Sequence, residues 1–315
     1  NEAAYITAGA SAALTMCAAI CMAGQDLDRQ KQLPDTTGMK NEFLIMTKQR
    51  TGYNRAINIA GGKTIFVDAG PGEADKLREA VTDQTAAIFF FDLYHAWSTS
   101  VSFEDTVKVA KEYDLPLIVD AAAQLPPIDN LWRFTEAGAD AVCFSGGKGL
   151  RGPQGSGLVL GKKWIIDGVA MIGPPTHGIA RSQKVGREEI VGLFTALEEY
   201  LKPGMVANKI AVIESRGQYI RSSLDATGLF ACERVYPGPT GQSYPYINAK
   251  ITGSFSADDM VKSLREGDPG IVIGKYGQNG LFINPLLLVD DEVDTVIRYV
   301  IKAATHFSQT EGGLR

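Results

Sequence analysis

Two side chains near the middle of the chain have the types and positions needed for chemistry on an aldehyde. Asp120 follows the apolar run 115–119, and Lys148 lies 28 residues later in a small-residue loop after the run 141–144. A lysine amine can form a Schiff base, and a carboxylate can keep a pyridine nitrogen protonated so that the ring accepts electrons. The pair therefore predicts a site for pyridoxal 5′-phosphate (PLP).

Each residue also has a structural explanation. Lysines on surface loops are common, and an acidic residue ends strands in many α/β proteins without touching a cofactor. To attack an aldehyde, the Lys148 amine must lose its proton, which desolvation or a neighbouring cation would favour. The prediction rests on Asp120 and Lys148 together, because neither residue alone is strong evidence for a PLP site.

The start of the chain offers a place for the cofactor's phosphate. Gly9, Ala10 and Ser11 open a helix-forming run, and free amides at the positive end of a helix dipole bind anions. The hydroxyl of Ser145 is a further candidate donor. The alternative for Gly9 to Ser11 is an ordinary helix cap.

The segment 147–152 also satisfies the G-x-G-x-x-G pattern of dinucleotide-binding proteins, with Asp167 about twenty residues further on. That pattern requires a helix to open at the glycines, whereas Pro153 and another apolar run follow here. A phosphate-binding P-loop is excluded because Gly149 stands where Ser or Thr is required.

Further residues could complete a PLP site. Gln124 is a candidate partner for the phenolic oxygen of the cofactor, and Ala122 is predicted to face its ring. Arg151 and Arg181 are candidates for an anionic group of the substrate, since a guanidinium matches carboxylate or phosphate geometry. The three histidines fall in no metal-ligand spacing, and no metal is predicted.

Composition limits the class of protein. The chain has 315 residues, 45% of them hydrophobic, and a formal net charge of −5. Nucleic acid is not the expected partner, because phosphate backbones are bound by clustered Lys and Arg. The four cysteines form no Cys-x-x-Cys pair, and the apolar run 8–23 is too short to span a bilayer, so a cytoplasmic protein is expected.

The pattern of apolar runs predicts a mostly parallel α/β domain followed by a small α+β domain. Six continuous apolar runs alternate with helical patterns, as in strands that are covered on both faces. They span 43–46, 64–67, 86–91, 115–119, 141–144 and 157–160. We place the large domain at 1–204 and the small one at 205–315, the latter with strands near 229–236, 244–251, 271–273 and 281–283.

These motifs resemble a known family. The stretch 119–157, VDAAAQLPPIDNLWRFTEAGADAVCFSGGKGLRGPQGSG, resembles selenocysteine-synthase-like enzymes of PLP fold type I, the aspartate-aminotransferase-like fold. Segments 33–41, 52–54 and 184–190 support a closer similarity to the D-glucosaminate-6-phosphate ammonia-lyase group. The resemblance implies a cofactor linked to Lys148, elimination of ammonia from an amino acid or phosphorylated amino-sugar acid, and a homodimer or larger homo-oligomer.

Three departures from that family are visible. Relatives usually carry a leading segment before the Gly9 helix, a histidine where Gln49 stands, and an arginine where Gly274 stands. The last two changes remove an expected ring-stacking group and an expected clamp for the substrate carboxylate. Two alternatives therefore stay open: a selenium transferase acting on seryl-tRNA, and a binding protein that keeps the fold without turnover.

Overall fold

The computed structural model describes residues 1–238, 240–286 and 288–312, with the side chains of 310–312 left aside. It divides into two compact units. The first comprises Asn1–Pro203 together with Thr240 and Gly241, and the second comprises Gly204–Gly238 and the chain from Gln242 onward.

A seven-stranded sheet forms the centre of the first unit. Its strands are β1 (Ala3–Thr7), β2 (Glu42–Met46), β3 (Lys63–Val67), β4 (Thr85–Phe91), β5 (Leu117–Asp120), β6 (Ala141–Ser145) and β7 (Gly157–Gly161). They lie in the order β1-β7-β6-β5-β4-β2-β3, and only the pairs made by β7 are antiparallel. Strand β4 is buried along its whole length, as expected of a strand covered on both faces.

Helices connect these strands and cover the sheet. The helices of the first unit are α1 (Ala10–Ala23), α2 (Leu27–Gln32), α3 (Arg55–Ile59), α4 (Ala74–Glu79), α5 (Tyr94–Trp97), α6 (Phe103–Glu112), α7 (Asn130–Ala137), α8 (Lys163–Ile172) and α9 (Arg187–Tyr200). Short 3₁₀ helices occupy Thr47–Gln49, Gly52–Asn54 and Ile179–Gln183.

Helix α1 is buried nearly all round. Its sequence ASAALTMCAAICMA has small residues that allow close packing against the sheet and against α3 and α8. The hydroxyl of Thr15, the one polar group in its middle, donates to the carbonyl of Ala56 at 3.0 Å. In the part of the chain that the structure describes, no helix is long and apolar enough to cross a membrane.

The second unit contains a four-stranded antiparallel sheet with its own core. Its strands are β8 (Phe230–Val235), β9 (Tyr246–Ile251), β10 (Gly274–Lys275) and β11 (Gly280–Ile283), in the order β10-β11-β9-β8. Its helices are α10 (Met205–Asp225), α11 (Ala257–Arg265) and α12 (Asp290–Gly312). The predicted fold class, a mostly parallel α/β domain with a small α+β domain, is confirmed.

Two details differ from the sequence-based expectations. Residues 271–273 form no strand, because the amide of Ile271 donates to the carbonyl of Leu264 at the end of α11 and not to a neighbouring strand. Strand β1 was not predicted. Its sequence AAYIT contains the apolar run 3–6, so the signal that marked the other strands was present here as well.

Candidate active site

The carboxyl edge of the large sheet brings together Asp120 and Lys148. Strands β5 and β6 are parallel neighbours, with Asp120 paired to Cys143. Lys148 follows five residues after Cys143, in the loop that begins where β6 ends. The topology thus places the carboxylate and the amine at the ends of adjacent strands, on the same edge.

Asp120 is partly buried and incompletely hydrogen-bonded. Its Oδ1 accepts from the amide of Ala122 at 3.0 Å, and within residues 1–238, 240–286 and 288–312 its Oδ2 has no hydrogen-bond donor. Burial raises the pKa of Asp120 to about 6, although the Ala122 amide and the charge of Lys148 act in the opposite direction. The free oxygen therefore lies in a setting that favours a cationic partner.

The loop carrying Lys148 is fixed by backbone contacts. The amide of Gly146 donates to Ser156, and that of Gly152 donates back to Gly146 at 2.8 Å, which closes the loop at its base. Gly149 lies so close to the carbonyl oxygen of Leu125 that a Cβ would collide with it. The loop is therefore packed directly against the segment that follows Asp120.

The side chain of Lys148 is exposed. Its Nζ lies 5.9 Å from the centroid of the Tyr53 ring, and it forms no ion pair with any residue that the structure describes. An unpaired amine at this edge is available to react with an aldehyde.

The predicted phosphate-binding residues also meet at this edge. Gly157 at the start of β7 pairs with Thr7 on one side and with Ser145 on the other. A Cβ on Gly157 would collide with the backbone of Gly9, which has a φ of 100° and opens α1 without a side-chain cap. The first amides of a helix have no partner within the helix. The N-terminus of α1 and Ser145 thus lie on either side of Gly157 at one sheet edge, and a helix N-terminus without a side-chain cap is a type of site that binds anions.

Gln124 is buried and held by two carbonyl groups. Its Nε2 donates to the backbone oxygens of Asp92 and Thr240, each at 2.6 Å. Both hydrogens of the side-chain amide are therefore already donated, so Gln124 could contact the cofactor only through Oε1. That role, and the predicted position of Ala122 against the ring, stay predictions.

The two arginines suggested for substrate binding lie in different places. Arg151 is in the Lys148 loop, with a φ of 61° that is uncommon for a residue with a side chain. Arg181 lies beside β1, where it lines a cavity of about 510 Å³ together with Lys184 and Arg187. No carboxylate is among the residues that line that cavity.

Sequence reasoning missed Asp92, which follows β4 as Asp120 follows β5. Its amide donates to the carbonyl of Asp120 at 3.0 Å, and its carboxylate accepts from Nε1 of Trp97 at 2.6 Å. Burial is the main cause of its raised pKa, which Trp97 and Arg133 partly offset. The signal was available, since Asp92 directly follows the apolar run 86–91.

Gln49, at one of the departures from the family pattern, is fully buried. Its Oε1 accepts from the amide of Phe91 at 2.9 Å, and its Nε2 donates to Ser100. The side chain therefore ties the end of β2 to the end of β4. His95 is exposed, with Nε2 3.1 Å from the carbonyl oxygen of Lys48.

The fit to PLP can be judged from these groups. Three groups lie at one sheet edge. Judged by the residues that the structure describes, they are a half-buried carboxylate with one free oxygen, a lysine amine without an ion-pair partner, and a helix N-terminus without a side-chain cap. This strand order with a lysine after β6 defines the class of fold-type I PLP-dependent enzymes. The solved structure of a D-glucosaminate-6-phosphate ammonia-lyase is similar, with a TM-score of 0.81, 28% identity, and coverage of 96% of this chain and 81% of that one.

Sequence comparisons identify the family within that class. The family described as L-seryl-tRNA selenium transferase matches residues 72–221. D-glucosaminate-6-phosphate ammonia lyase of Salmonella typhimurium is 30% identical over 318 residues, covering 97% of this chain and 82% of that protein. A 5′-C-glycyluridine monooxygenase-decarboxylase of a Streptomyces species is 33% identical, covering 95% of this chain and 75% of that protein.

The chain belongs to the family of D-glucosaminate-6-phosphate ammonia lyase, and part of it is similar to the L-seryl-tRNA selenium transferase family. The predicted enzyme class, a PLP-dependent lyase or transferase, and the predicted cofactor are confirmed by these relatives.

Proposed function

We propose that this enzyme is a PLP-dependent lyase that eliminates ammonia from an amino acid or a phosphorylated amino-sugar acid, with D-glucosaminate 6-phosphate as the first candidate. The observation that carries the proposal is the position of Asp120 and Lys148 at the ends of adjacent parallel strands. The 30% identity to an ammonia lyase over nearly the whole chain supports the same reaction.

Bound PLP withdraws electron density from the carbon that carries the substrate's amino group, so that a proton can leave that carbon. The part of Asp120 in this chemistry is to hold a positive charge at the pyridine nitrogen. Its free Oδ2 can accept the N–H of that ring, and the low polarity that raises its pKa also strengthens the pairing.

Lys148 would have two successive roles in this reaction. Its Nζ would first hold the cofactor covalently, and after the substrate amine took its place, the freed amine could take the proton from the carbon that carries the substrate's amino group. It could then pass that proton to a hydroxyl group on the neighbouring carbon, which would leave as water. Hydrolysis of the resulting enamine by one water molecule would release the amino group as ammonia. The closed loop base at Gly146 keeps the side chain at one place on the sheet edge through both steps.

The cofactor's phosphate would be held by the amides of Gly9, Ala10 and Ser11 together with the hydroxyl of Ser145. Gly9, Ala10 and Ser11 lie at a helix N-terminus, where backbone N–H donors and the helix dipole favour an anion, and Ser145 ends the strand β6. Such anchoring fixes the ring relative to Asp120 without using the reactive amine.

Several cationic side chains are consistent with binding of an anionic substrate. Arg151 projects from the Lys148 loop, and Arg181, Lys184 and Arg187 line one cavity that lacks a carboxylate. A phosphorylated sugar acid carries two anionic groups, which guanidinium groups bind through paired hydrogen bonds. Arg151 and Arg181 are therefore the residues proposed to select the substrate.

We further propose a homodimer or larger homo-oligomer. The apolar side chains of Val191 and Phe194 on α9 are 65% and 56% exposed, which is the kind of surface that a subunit interface covers. Analytical ultracentrifugation of the PLP-loaded protein tests this, and a monomer at micromolar concentration would contradict it. The cytoplasmic location stays a prediction.

The reaction is tested by turnover on a panel of amino-sugar acids, with and without 6-phosphate groups. The proposal predicts ammonia release that is unaffected when oxygen is excluded, and loss of that release in Lys148→Ala. Oxygen-dependent release of CO₂ would instead favour the reaction named for the Streptomyces relative. Cofactor binding without turnover would favour a binding protein, and salt-dependent binding of seryl-tRNA would favour selenium transfer.

A further inference from the structure

Tyr53 is an exposed aromatic residue beside the reactive amine. Its side chain is 58% exposed, and its ring centroid lies 5.9 Å from Nζ of Lys148. An aromatic ring left open to solvent normally loses the free energy that burial would provide. Its exposure next to Lys148 suggests that a ligand covers it.

The backbone around Tyr53 is fixed by reciprocal hydrogen bonds. The amide of Thr51 donates to Oδ1 of Asn54 at 2.7 Å, and the amide of Tyr53 donates to the hydroxyl of Thr51 at 3.1 Å. Asn54 is itself buried, so the short helix is anchored to the domain. The position of the ring is therefore set before any ligand arrives.

Other flat side chains near this edge are already engaged. Gln49 is fully buried and bonded to Phe91. Tyr94 and Trp97 pack on each other with ring centroids 5.3 Å apart, and Trp97 also donates to Asp92. Within the described part of the chain, the ring of Tyr53 interacts only with the amine of Lys148.

We propose that Tyr53 provides the aromatic face against which the pyridine ring of the cofactor stacks. This inference rests on the proposed attachment of PLP to Lys148. The aldehyde carbon of the cofactor bonds to Nζ, so its ring starts from an atom that is already 5.9 Å from the Tyr53 centroid. Aromatic pairs typically have centroids about 4.5–7 Å apart.

Binding of pyridoxine 5′-phosphate tests this contact, because that analogue has no aldehyde and cannot bond to Lys148. Tyr53→Ala should raise its Kd roughly three- to tenfold, and Tyr53→Phe should change it by less than about twofold. Tyr113→Ala is the matched control, since Tyr113 is 41% exposed and precedes β5 at the opposite edge of the sheet. In Tyr53→Ala, the visible circular dichroism band of bound PLP should also weaken.

An unchanged Kd in Tyr53→Ala would overturn the inference, and so would an equal loss in Tyr53→Phe, which would assign the role to the hydroxyl. Urea denaturation of both variants checks that they fold as the wild type does. If wild-type protein forms a borohydride-reduced adduct at Lys148 while Tyr53→Ala binds normally, only the stacking role fails. If no adduct forms at Lys148, the proposed function fails first.

Discussion

An aspartate directly follows strand β4 and another ends strand β5 at the same edge of the sheet, and the two carboxylates differ in their surroundings. Asp92 is enclosed: it is 5% exposed, accepts from Trp97 at 2.6 Å and lies 3.5 Å from Arg133. Among the residues that the structure describes, Asp120 accepts only from the amide of Ala122, and the lysine that follows the next strand has no ion-pair partner.

The difference shows that burial alone does not identify a functional acid. Burial raises the pKa of both carboxyl groups, so a search for perturbed pKa values would select Asp92 and Asp120 alike. What separates them is access for a ligand. In each carboxylate one oxygen has no hydrogen-bond donor among the described residues, but Oδ2 of Asp92 is buried 3.5 Å from Arg133, whereas Asp120 is only partly buried, at the edge that carries Lys148.

The largest expected effect comes from removing the charge of Asp120. Asp120→Asn should lower activity roughly 10²- to 10³-fold, since breaking a buried charge pair costs about 3–5 kcal/mol. Steady-state kinetics at saturating PLP measures this. Activity within threefold of wild type would mean that Asp120 is as structural as Asp92.

A second expected effect concerns the packing between the segments that follow β5 and β6. Gly149→Ala would force the Lys148 loop away from the carbonyl of Leu125, at a cost of about 1–3 kcal/mol, and should weaken PLP binding about tenfold. Gly155→Ala is the control, because its Cβ would meet only Glu189 at 3.7 Å. Equal effects in the two variants, measured by PLP titration, would refute the packing argument.

A third expectation is a pH dependence specific to Asp120. Because its pKa is raised to about 6, the carboxyl group takes up a proton as the pH falls from 7 to 5 and can then no longer pair with a cationic ring. Affinity for PLP should therefore fall over this range in wild type and less steeply in Asp120→Asn. The phosphate group of PLP also titrates in this range, with a pKa near 6. Because it does so in both proteins, the Asp120→Asn profile shows its contribution without that of Asp120. Parallel pH profiles would contradict the assignment.

The smallest effect on activity is expected at Asp92. Asp92→Ala should reduce the free energy of unfolding by about 1–3 kcal/mol, because Trp97 loses its buried acceptor. Asp92→Asn keeps an acceptor and should recover most of that loss. Activity per folded molecule should stay within about threefold of wild type in both variants. A large loss of kcat in Asp92→Asn would move Asp92 into the catalytic machinery.

The sequence was most informative where one local pattern decided the structure. The inner strands β4, β5 and β6 were predictable from continuous apolar runs, and Asp120 and Lys148 from their positions after such runs. The same rule would have found Asp92. By contrast, the bond from Gln124 to Thr240 joins residues 116 apart, and no local signal encodes it.

The contact between Lys148 and Tyr53 was likewise invisible to local patterns. It depends on β2 and β6 presenting their ends at one edge, with β4 and β5 between them. The pKa of Asp120 also required the structure, because burial outweighs the nearby amide and amine only in the folded environment. Strand β1 was predictable by the same rule as the inner strands, since its residues 3–6 are all apolar.

The most direct test of the account is borohydride reduction of the purified, PLP-loaded protein followed by peptide mapping. The account predicts a visible absorption band before reduction and a single pyridoxyl adduct on the peptide that contains Lys148. A colourless protein that takes up no added PLP, or an adduct on a different lysine, would contradict it.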